Sequence, residues 1–205
     1  MRIKVVVLGV VAVISLVLGA WLLVSPSLER QSDLAQQIEL LENIMAALPE
    51  TVCEYGLVPT PDPLDLPAFP ESIIPLGILI IDAIDLRLPV MEGVGEPELR
   101  IAPGRVPQTA RIGEIGNAVI AGHRNLTFGS MFNRLGEAQI GDIIRFQALS
   151  GEVMTFKVFE MAVITPDDQI AFIQPLNESI ITLYTCTPIH TATHRLIVRA
   201  RRINY

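Results

Sequence analysis

The sequence predicts an all-β domain of the barrel or sandwich type over residues 76–205, preceded by a transmembrane helix. From residue 76 onward, short runs rich in β-branched residues alternate with Gly, Pro and Asn, which is typical of strands joined by turns. These runs are LGILIIDAIDLRLPV, NAVIAG, DIIRFQAL, VMTFKVFEMAVI, SIITLYT and RLIVRARRI. Only GSMFNRL, near residues 129–135, resembles a helical turn, so helical repeats and a doubly wound α/β sheet are disfavoured.

Residues 1–24 are predicted to form a cytoplasmic tip and a transmembrane signal-anchor. Residues 5–24 are 20 consecutive residues without a charge, which as a helix would span roughly 30 Å, the thickness of the hydrocarbon core of a bilayer. Arg2 and Lys4 precede this run, so the positive-inside rule places the N-terminus in the cytoplasm and the rest of the chain outside the cell membrane. A cleaved secretory signal is the alternative. It usually has a shorter apolar core and a small-residue cleavage site, which GAWLLVSPS does not offer.

Residues 25–75 are predicted to form a stalk helix and a linker. In residues 33–47, apolar residues follow helical spacing, and Asp33 with Gln36 forms a capping-box start. The apolar stripe consists of Leu34, Ile38, Leu41 and Met45. Residues 48–75 are rich in proline and are expected to be a linker or a segment that wraps around the domain.

Charge and cysteine content exclude several functions. Residues 25–100 contain 3 basic and 14 acidic residues, and no Lys/Arg-rich tract occurs anywhere, so nucleic acid is not an expected partner. The sequence has no CxxC, HExxH or EF-hand loop, so we predict neither a metal site nor a cofactor. Cys53 lies in the proline-rich tract and Cys186 at the end of a strand-like run, and we expect two free thiols rather than a disulfide.

The segment TLYTCTPIHTATHRLIVRARR, residues 182–202, is the candidate chemical site. Cys186 ends one predicted strand and Arg195 begins the next, which places both at the same edge of the sheet. Side chains alternate along a strand, so His194 and Arg195 face opposite sides, and only one can share the face of Cys186. Arg199 lies on the same face as Arg195 but roughly 13 Å further along the strand.

A thiol beside a guanidinium can act as a nucleophile, because positive neighbours lower the pKa of a cysteine. A cysteine nucleophile also needs a proton donor for its leaving group, usually a histidine. His123 lies where the predicted strand NAVIAG breaks into a turn, a common place for catalytic residues. His190 lies in the middle of a loop, and His194 is disfavoured by its face. The residues alone favour His123 and leave His190 open.

Three motifs in this order resemble the sortases, the membrane-anchored cysteine transpeptidases of Gram-positive bacteria. TLYTC at 182–186 matches the TLxTC signature, NAVIAGHRN matches the strand with the catalytic histidine, and HRLIVRARR matches the strand with the arginine. The resemblance covers residues 76–205 and implies an eight-stranded β-barrel with short helices as the catalytic domain.

The resemblance also implies a mechanism and partners. Cys186 would attack the threonine carbonyl of an LPxTG-like sorting signal, His123 would act as acid and base, and Arg195 would stabilise the oxyanion. Thr185 matches a position that shapes the substrate pocket. The partners would be surface proteins or pilins that carry the sorting signal, and an amine acceptor from a cell-wall precursor or a pilin lysine.

Within the family, TCTP followed by THRL is most similar to class C, the pilin-polymerising enzymes, and class D stays open. Asp62 and Pro63, followed by Leu64, resemble the lid motif of class C, although the third residue there is aromatic. Residues 48–51 read LPET, with Val52 in place of the usual glycine. This match is either coincidence or a pseudo-substrate held near the groove.

Two other functions are compatible with the same residues. A hydrolytic cysteine protease would use water as the acceptor. Papain-like proteases, however, place cysteine before histidine in the chain, and here His123 precedes Cys186. The other alternative is a catalytically silent, membrane-tethered binding or assembly module, against which the complete Cys186, His123 and Arg195 set argues.

Overall fold

The fold is a closed barrel of eight strands, as predicted. The computed structural model describes residues 14, 15, 19, 21, 25, 31–46, 48, 74–124 and 131–203. Around the barrel the strands run in the order β1-β2-β3-β4-β7-β8-β6-β5. Their bounds are β1 Pro75–Ile81, β2 Leu86–Glu92, β3 Gly104–Arg105, β4 Gly116–Ala121, β5 Ile143–Ala148, β6 Val153–Ile164, β7 Ser179–Thr187 and β8 His194–Arg202. Neighbouring strands are antiparallel except for the pairs β2–β3 and β4–β7.

The helical content is small, but it exceeds the sequence prediction. Helix α1 comprises residues 31–46 and helix α2 is Glu96–Ile101. Three short 3-10 turns lie at Asp82–Ile84, Leu135–Glu137 and Ile170–Phe172. The run LGILIIDAIDLRLPV was predicted as one strand, but the first of these turns divides it into β1 and β2. The predicted helical turn near 129–135 is a hydrogen-bonded turn over 131–134, with residues 129 and 130 outside the described part.

The main core fills the barrel, because alternate residues of each strand point inward. Phe132 and Phe156 are its largest side chains with no exposed surface. From β7 and β8 the inward residues are Ile181, Leu183, Leu196, Val198 and Ala200. The even residues of β7 and the odd residues of β8 therefore face outward.

A second core lies on the outer face of β1, against helix α1. Leu40 and Ile44 pack with Ile78 and Ile80, so β1 is covered on both faces, as its uninterrupted apolar sequence requires. The predicted helix exists, but two details of the prediction are wrong. Asp33 lies inside the helix, which is already formed at residue 31, so it is not the cap.

The predicted apolar stripe of α1 is also not the buried one. Of the predicted stripe, Leu34, Ile38 and Met45 are exposed, and only Leu41 is partly buried against the second core. The buried residues are instead Gln37, Leu40 and Ile44. The helix has apolar residues on more than one side. The side that packs is the one that meets Ile78, Ile80 and Met91, which the spacing of apolar residues in the helix cannot indicate.

The chain separates into two compact units, residues 1–36 and 37–205, and the second contains the barrel together with residues 37–46 of α1. No helix within the described residues is both long and apolar enough to cross a membrane. Most of residues 5–24 lie outside the described part, as do Cys53, the LPET sequence except Leu48, and the lid residues Asp62, Pro63 and Leu64. The anchor and the lid therefore stay predictions.

Candidate active site

Cys186 and Arg195 are directly opposite each other on the neighbouring antiparallel strands β7 and β8. Directly opposed residues of an antiparallel pair project to the same face, with Cβ atoms about 5 Å apart. The structure therefore brings the predicted thiol and guanidinium together at one edge of the barrel. This edge, where β4 and β7 end and β8 begins, is called the site edge below.

His123 reaches the site edge on the other side of Cys186. Strand β4 runs parallel to β7, with Ala121 opposite Tyr184, and the ladder continues through a bond from Gly122 N–H to the Tyr184 carbonyl at 3.1 Å. His123 lies two residues beyond the end of β4, as Cys186 lies two residues beyond Tyr184 in β7. The three residues thus come from the neighbouring strands β7 and β8 and from the chain that leaves the adjacent strand β4.

The turn at His123 depends on the glycine that precedes it. A Cβ atom on Gly122 would lie 2.8 Å from the ring of Phe132, so any larger residue would displace this buried ring. The backbone N–H of Phe132 donates to the His123 carbonyl at 3.0 Å, which fixes the other side of the turn. His123 itself is exposed, as a residue that exchanges protons with a substrate must be.

The site lies on the outside of the barrel and not in its interior. Cys186, Tyr184 and Ile197 share the outward face, because Leu183 and Leu196 point into the core. A small apolar cluster of Ile164, Ala171 and Ile197 covers this face beside the thiol, with Phe172 and Tyr184 packed against it. The rings of Phe172 and Tyr184 are 5.6 Å apart between centroids. Cys186 is half-buried at the border of this apolar surface.

Arg195 is held by one of its terminal nitrogens. Nη1 donates to the carbonyls of Ala192 and His194, both at 3.0 Å, which ties the guanidinium to the loop before β8. Within the described residues, its Nε and Nη2 donate to no hydrogen-bond partner. These two donors can serve a substrate carbonyl.

Thr185 lies behind the thiol. Its side chain is buried, and its hydroxyl donates to the Gly122 carbonyl at 2.6 Å, next to His123. Because it is adjacent to Cys186 in the strand, it projects to the opposite face. This placement indicates that Thr185 stabilises the turn at His123 and does not contact the substrate directly.

The other histidines and Arg199 are not opposite Cys186 in the register of β7 and β8. His194 is opposite Thr187 on the face away from Cys186, with its Nδ1 3.0 Å from the Thr193 hydroxyl. His190 is exposed in the loop between β7 and β8. Arg199 is opposite Thr182, further down the barrel, and bonds Glu160 at 2.6 Å.

Sequence reasoning missed a buried polar network that holds the segment 165–178 between β6 and β7. The side-chain amide of Asn117 donates to the carbonyls of Ala171 and Ile173, and its oxygen accepts from the Thr182 hydroxyl at 2.7 Å. The side chain of Gln174 bonds both the N–H and the carbonyl of Asn117. An asparagine at the start of the otherwise apolar run NAVIAG was the available signal.

Two exposed carboxylates have shifted pKa values. Hydrogen bonding to Arg134 lowers the pKa of Glu137, and hydrogen bonding to Thr165 lowers the pKa of Asp167. A lowered pKa favours the ionised form, so the stability that these contacts add is present above the unfolded-state pKa. It is lost as pH falls through the folded-state value. Both carboxylates are exposed, so these effects are small.

The described residues contain no group of three His, Cys, Asp or Glu side chains that could hold a metal ion. Cys186 is a free cysteine. A half-buried thiol between a histidine and an arginine is suited to nucleophilic attack on a carbonyl carbon, with proton transfer by the imidazole.

Comparison with known proteins agrees with this chemistry. Residues 79–203 match the sortase domain family. Sortase D of Bacillus subtilis (strain 168) is 31% identical over 138 residues, which are 65% of this chain and 67% of that protein. The crystal structure of sortase C1 from Streptococcus agalactiae has a TM-score of 0.59 at 29% identity, covering 63% of this chain and 67% of that one. A Clostridium perfringens sortase D5 transpeptidase has a TM-score of 0.58 at 31% identity, covering 63% of this chain and 79% of that one.

Proposed function

Since the chain belongs to the sortase family of cysteine transpeptidases, we propose that it cleaves an LPxTG-like sorting signal between Thr and Gly and transfers the acyl group to an amine. The observation that carries the proposal is that Cys186 is directly opposite Arg195 on β7 and β8, while His123 follows the end of the neighbouring strand β4. The acceptor amine would come from a cell-wall precursor or from a pilin lysine.

In the first half-reaction, the Cys186 thiolate attacks the carbonyl carbon of the threonine. The carbonyl oxygen takes up the negative charge, and the free donors of Arg195 stabilise it. Preorganised donors of this kind contribute about 10²- to 10³-fold to the rate. The carbon–nitrogen bond to glycine then breaks, His123 protonates the departing amine, and a thioester joins threonine to Cys186.

In the second half-reaction, His123 removes a proton from the incoming amine. The amine nitrogen attacks the thioester carbon, the new amide forms, and Cys186 leaves as the thiolate. The enzyme returns to its starting state without a metal or a redox partner, because each step only moves a proton and an electron pair between the substrates, Cys186 and His123.

The apolar cluster on the outer face supports a peptide substrate with apolar side chains. Phe172 and Tyr184 form a surface two residues from Cys186 along β7, held in place through the segment 165–178. An extended peptide whose threonine carbonyl reaches Cys186 would lay its preceding residues over this surface. Class C and class D both remain compatible with this arrangement.

Membrane attachment is part of the proposal. The uncharged run 5–24, preceded by Arg2 and Lys4, supports a single-pass anchor with the catalytic domain outside the cell. Substrates that are being exported would then meet the site near the membrane surface.

One assay separates the three candidate functions. Residues 31–205 are incubated with a sorting peptide, with and without an amine acceptor, and the products are identified by mass spectrometry. A transpeptidase gives the amine adduct, a hydrolytic protease gives only the free acid in both reactions, and a silent module leaves the peptide intact.

The variant Cys186→Ala should form no product while it keeps the thermal unfolding temperature of the parent. The substitution removes only a sulfur atom from a small, half-buried side chain. Product formation by this variant would refute the assignment of the nucleophile.

A further inference from the structure

We propose that Arg124 is a positioning residue, which sets the separation of His123 and Cys186 by a hydrogen bond to Thr187. This inference rests on the proposed function, because it assigns the geometry of the same catalytic pair. Arg124 directly follows His123, and Thr187 directly follows Cys186. Arg124 Nη1 donates to Thr187 Oγ1 at 2.9 Å.

This bond lies where the two parallel strands stop pairing. The last backbone bond between them is from Gly122 N–H to the Tyr184 carbonyl, and the Thr185 hydroxyl bonds the Gly122 carbonyl just beyond it. Beyond Gly122, one hydrogen bond among the described residues joins the chain after β4 to β7, and it is the bond from Arg124 to Thr187. Without it, the hydrogen bonds among the described residues would join the turn that carries His123 to β7 at residues before the catalytic pair.

Arg124 acts from behind the catalytic pair and not within it. Thr187 shares a face with Thr185 and not with Cys186, because side chains alternate along the strand. The Arg124 guanidinium therefore lies on the opposite face from the thiol. It works through the backbone of the neighbouring residues, so we call it a positioning residue and not a catalytic one.

The guanidinium is also fixed on its other sides. Its Nε donates to the Asn133 carbonyl at 3.4 Å, in the turn that holds the backbone of His123 through Phe132. A Cβ atom on Gly136 would lie 2.5 Å from Arg124 Nη2, so a glycine leaves the space that this group fills. Arg124 thereby joins the end of β4, the end of β7 and the turn 131–134. Lysine has a single donor group and cannot make both bonds in this geometry.

Loss of the bond should affect the chemical steps more than substrate binding. The outward apolar surface that would receive the peptide is formed by Tyr184 and by residues of other segments, none of which Arg124 or Thr187 bonds, whereas the distance between His123 and Cys186 governs proton transfer. A misplacement of about 1 Å can cost about 10²-fold in rate. We therefore expect Arg124→Lys and Thr187→Val to lower kcat at least tenfold and to change KM less than twofold.

The test compares five variants in the peptide assay. Arg124→Lys and Thr187→Val should each lower kcat. The kcat of the double variant should be no lower than that of the less active single variant, since both substitutions remove the same bond. Thr187→Ser keeps the hydroxyl and should retain most of the rate. The matched control is Arg202→Lys at the opposite edge of the barrel, where Arg202 Nη1 donates to the Gly113 carbonyl at 2.8 Å. It removes a comparable bond and should leave kcat unchanged.

A second measurement does not depend on the sorting peptide. The rate at which iodoacetamide alkylates Cys186 is followed by peptide mass spectrometry at neutral pH, where it reports the thiolate that a nearby imidazole stabilises. Arg124→Lys and Thr187→Val should slow alkylation, and the effect should disappear in a His123→Ala background. If the wild-type chain fails to process any sorting peptide, the proposed function fails, while the alkylation rates still decide the role of Arg124.

Three outcomes would overturn the inference. The first is equal loss of kcat in Arg202→Lys and Arg124→Lys, which would indicate general destabilisation. The second is full additivity of Arg124→Lys and Thr187→Val. The third is an unchanged alkylation rate in both variants.

Discussion

The side chains of Arg195 and Arg199 project from the same face of β8, yet their surroundings predict different roles. Arg195 is opposite Cys186 and has two donors without a described partner, whereas Arg199 bonds Glu160 and lies over the ring of Phe159 at 5.4 Å. We expect Arg195→Lys to lower kcat/KM about 10²-fold, because a point charge does not replace a planar fork at an oxyanion.

Arg199→Lys is the matched control for this prediction. It should keep the turnover rate and lower only the unfolding temperature, because its contacts hold β8 to β6. Steady-state kinetics and thermal unfolding of both variants measure the two effects. Equal loss of turnover in the two would show that position along β8 does not decide the role.

The two histidines near the site edge give the second prediction at this scale. His123→Ala should lower kcat about 10³-fold, because general acid–base catalysis contributes 10²- to 10⁴-fold. His194→Ala should keep a substantial part of the activity, since His194 is opposite Thr187 on the other face and is exposed. A larger loss in His194→Ala, measured with the same peptide, would contradict the assignment of the base.

At the scale of elements, Asn117 decides how the segment 165–178 is attached to the barrel. Asn117→Leu removes two donated bonds and leaves the Thr182 hydroxyl and the carbonyl of Ala171 buried without their partner. Each such group costs about 1–3 kcal/mol, so we expect a loss of about 3 kcal/mol in the free energy of unfolding. Urea denaturation measures it.

Gln169→Ala is the control in the same segment. Its side chain is exposed and, within the part of the chain that the structure describes, bonds only the Asp167 carbonyl, so the change should be less than about 0.5 kcal/mol. A similar loss for the two variants would mean that the segment contributes to stability through its chain conformation and not through Asn117.

The strands were predictable, and the reasons are local. Runs such as VMTFKVFEMAVI coincide with β6 because alternation and β-branching are properties of the strand itself. Helix α2 was missed because six residues are too few to show a helical period. The divided strand was missed because Asp85 turns the chain in the left-handed region, at φ 50, inside an apolar sequence. An aspartate tolerates this conformation better than most residues do.

Strand geometry predicted one part of the site, the placement of Arg195 beside Cys186. The choice of Arg195 over His194 needed only the alternation of side chains and a common edge, and the register agrees with it. The bonds of Arg124 and Asn117 join residues 63 and 65 positions apart in the sequence. No spacing rule indicates such contacts, because they depend on which strands become neighbours.

For the whole molecule, the packing of α1 determines which changes to the linker leave the barrel intact. Leu40 and Ile44 cover Ile78 and Ile80, so a deletion that begins near residue 30 would expose an apolar face of the barrel. Replacement of Asp62, Pro63 and Leu64 by Gly-Ser-Gly leaves α1 in place. If these residues form a lid, the replacement should raise kcat/KM for a sorting peptide, because a tethered occupant competes at millimolar effective concentration.

Two further variants complete this test. Thr51→Ala should raise activity in part if LPET acts as a pseudo-substrate. Replacement of Pro59, Thr60 and Pro61 by Gly-Ser-Gly is the matched control and should change nothing. If all three variants have the kinetics of the parent chain, residues 48–75 are only a linker.

The parallel pairing of β4 with β7 also bears on when the protein acquires its reactivity. The histidine and the cysteine arrive at one edge only because β4 and β7 run in the same direction, and a parallel pair cannot be closed by a hairpin. Such long-range pairing forms late and slowly during folding, after the local hairpins. The extended chain therefore lacks the pair of histidine and cysteine, and its chemistry begins only when the barrel closes.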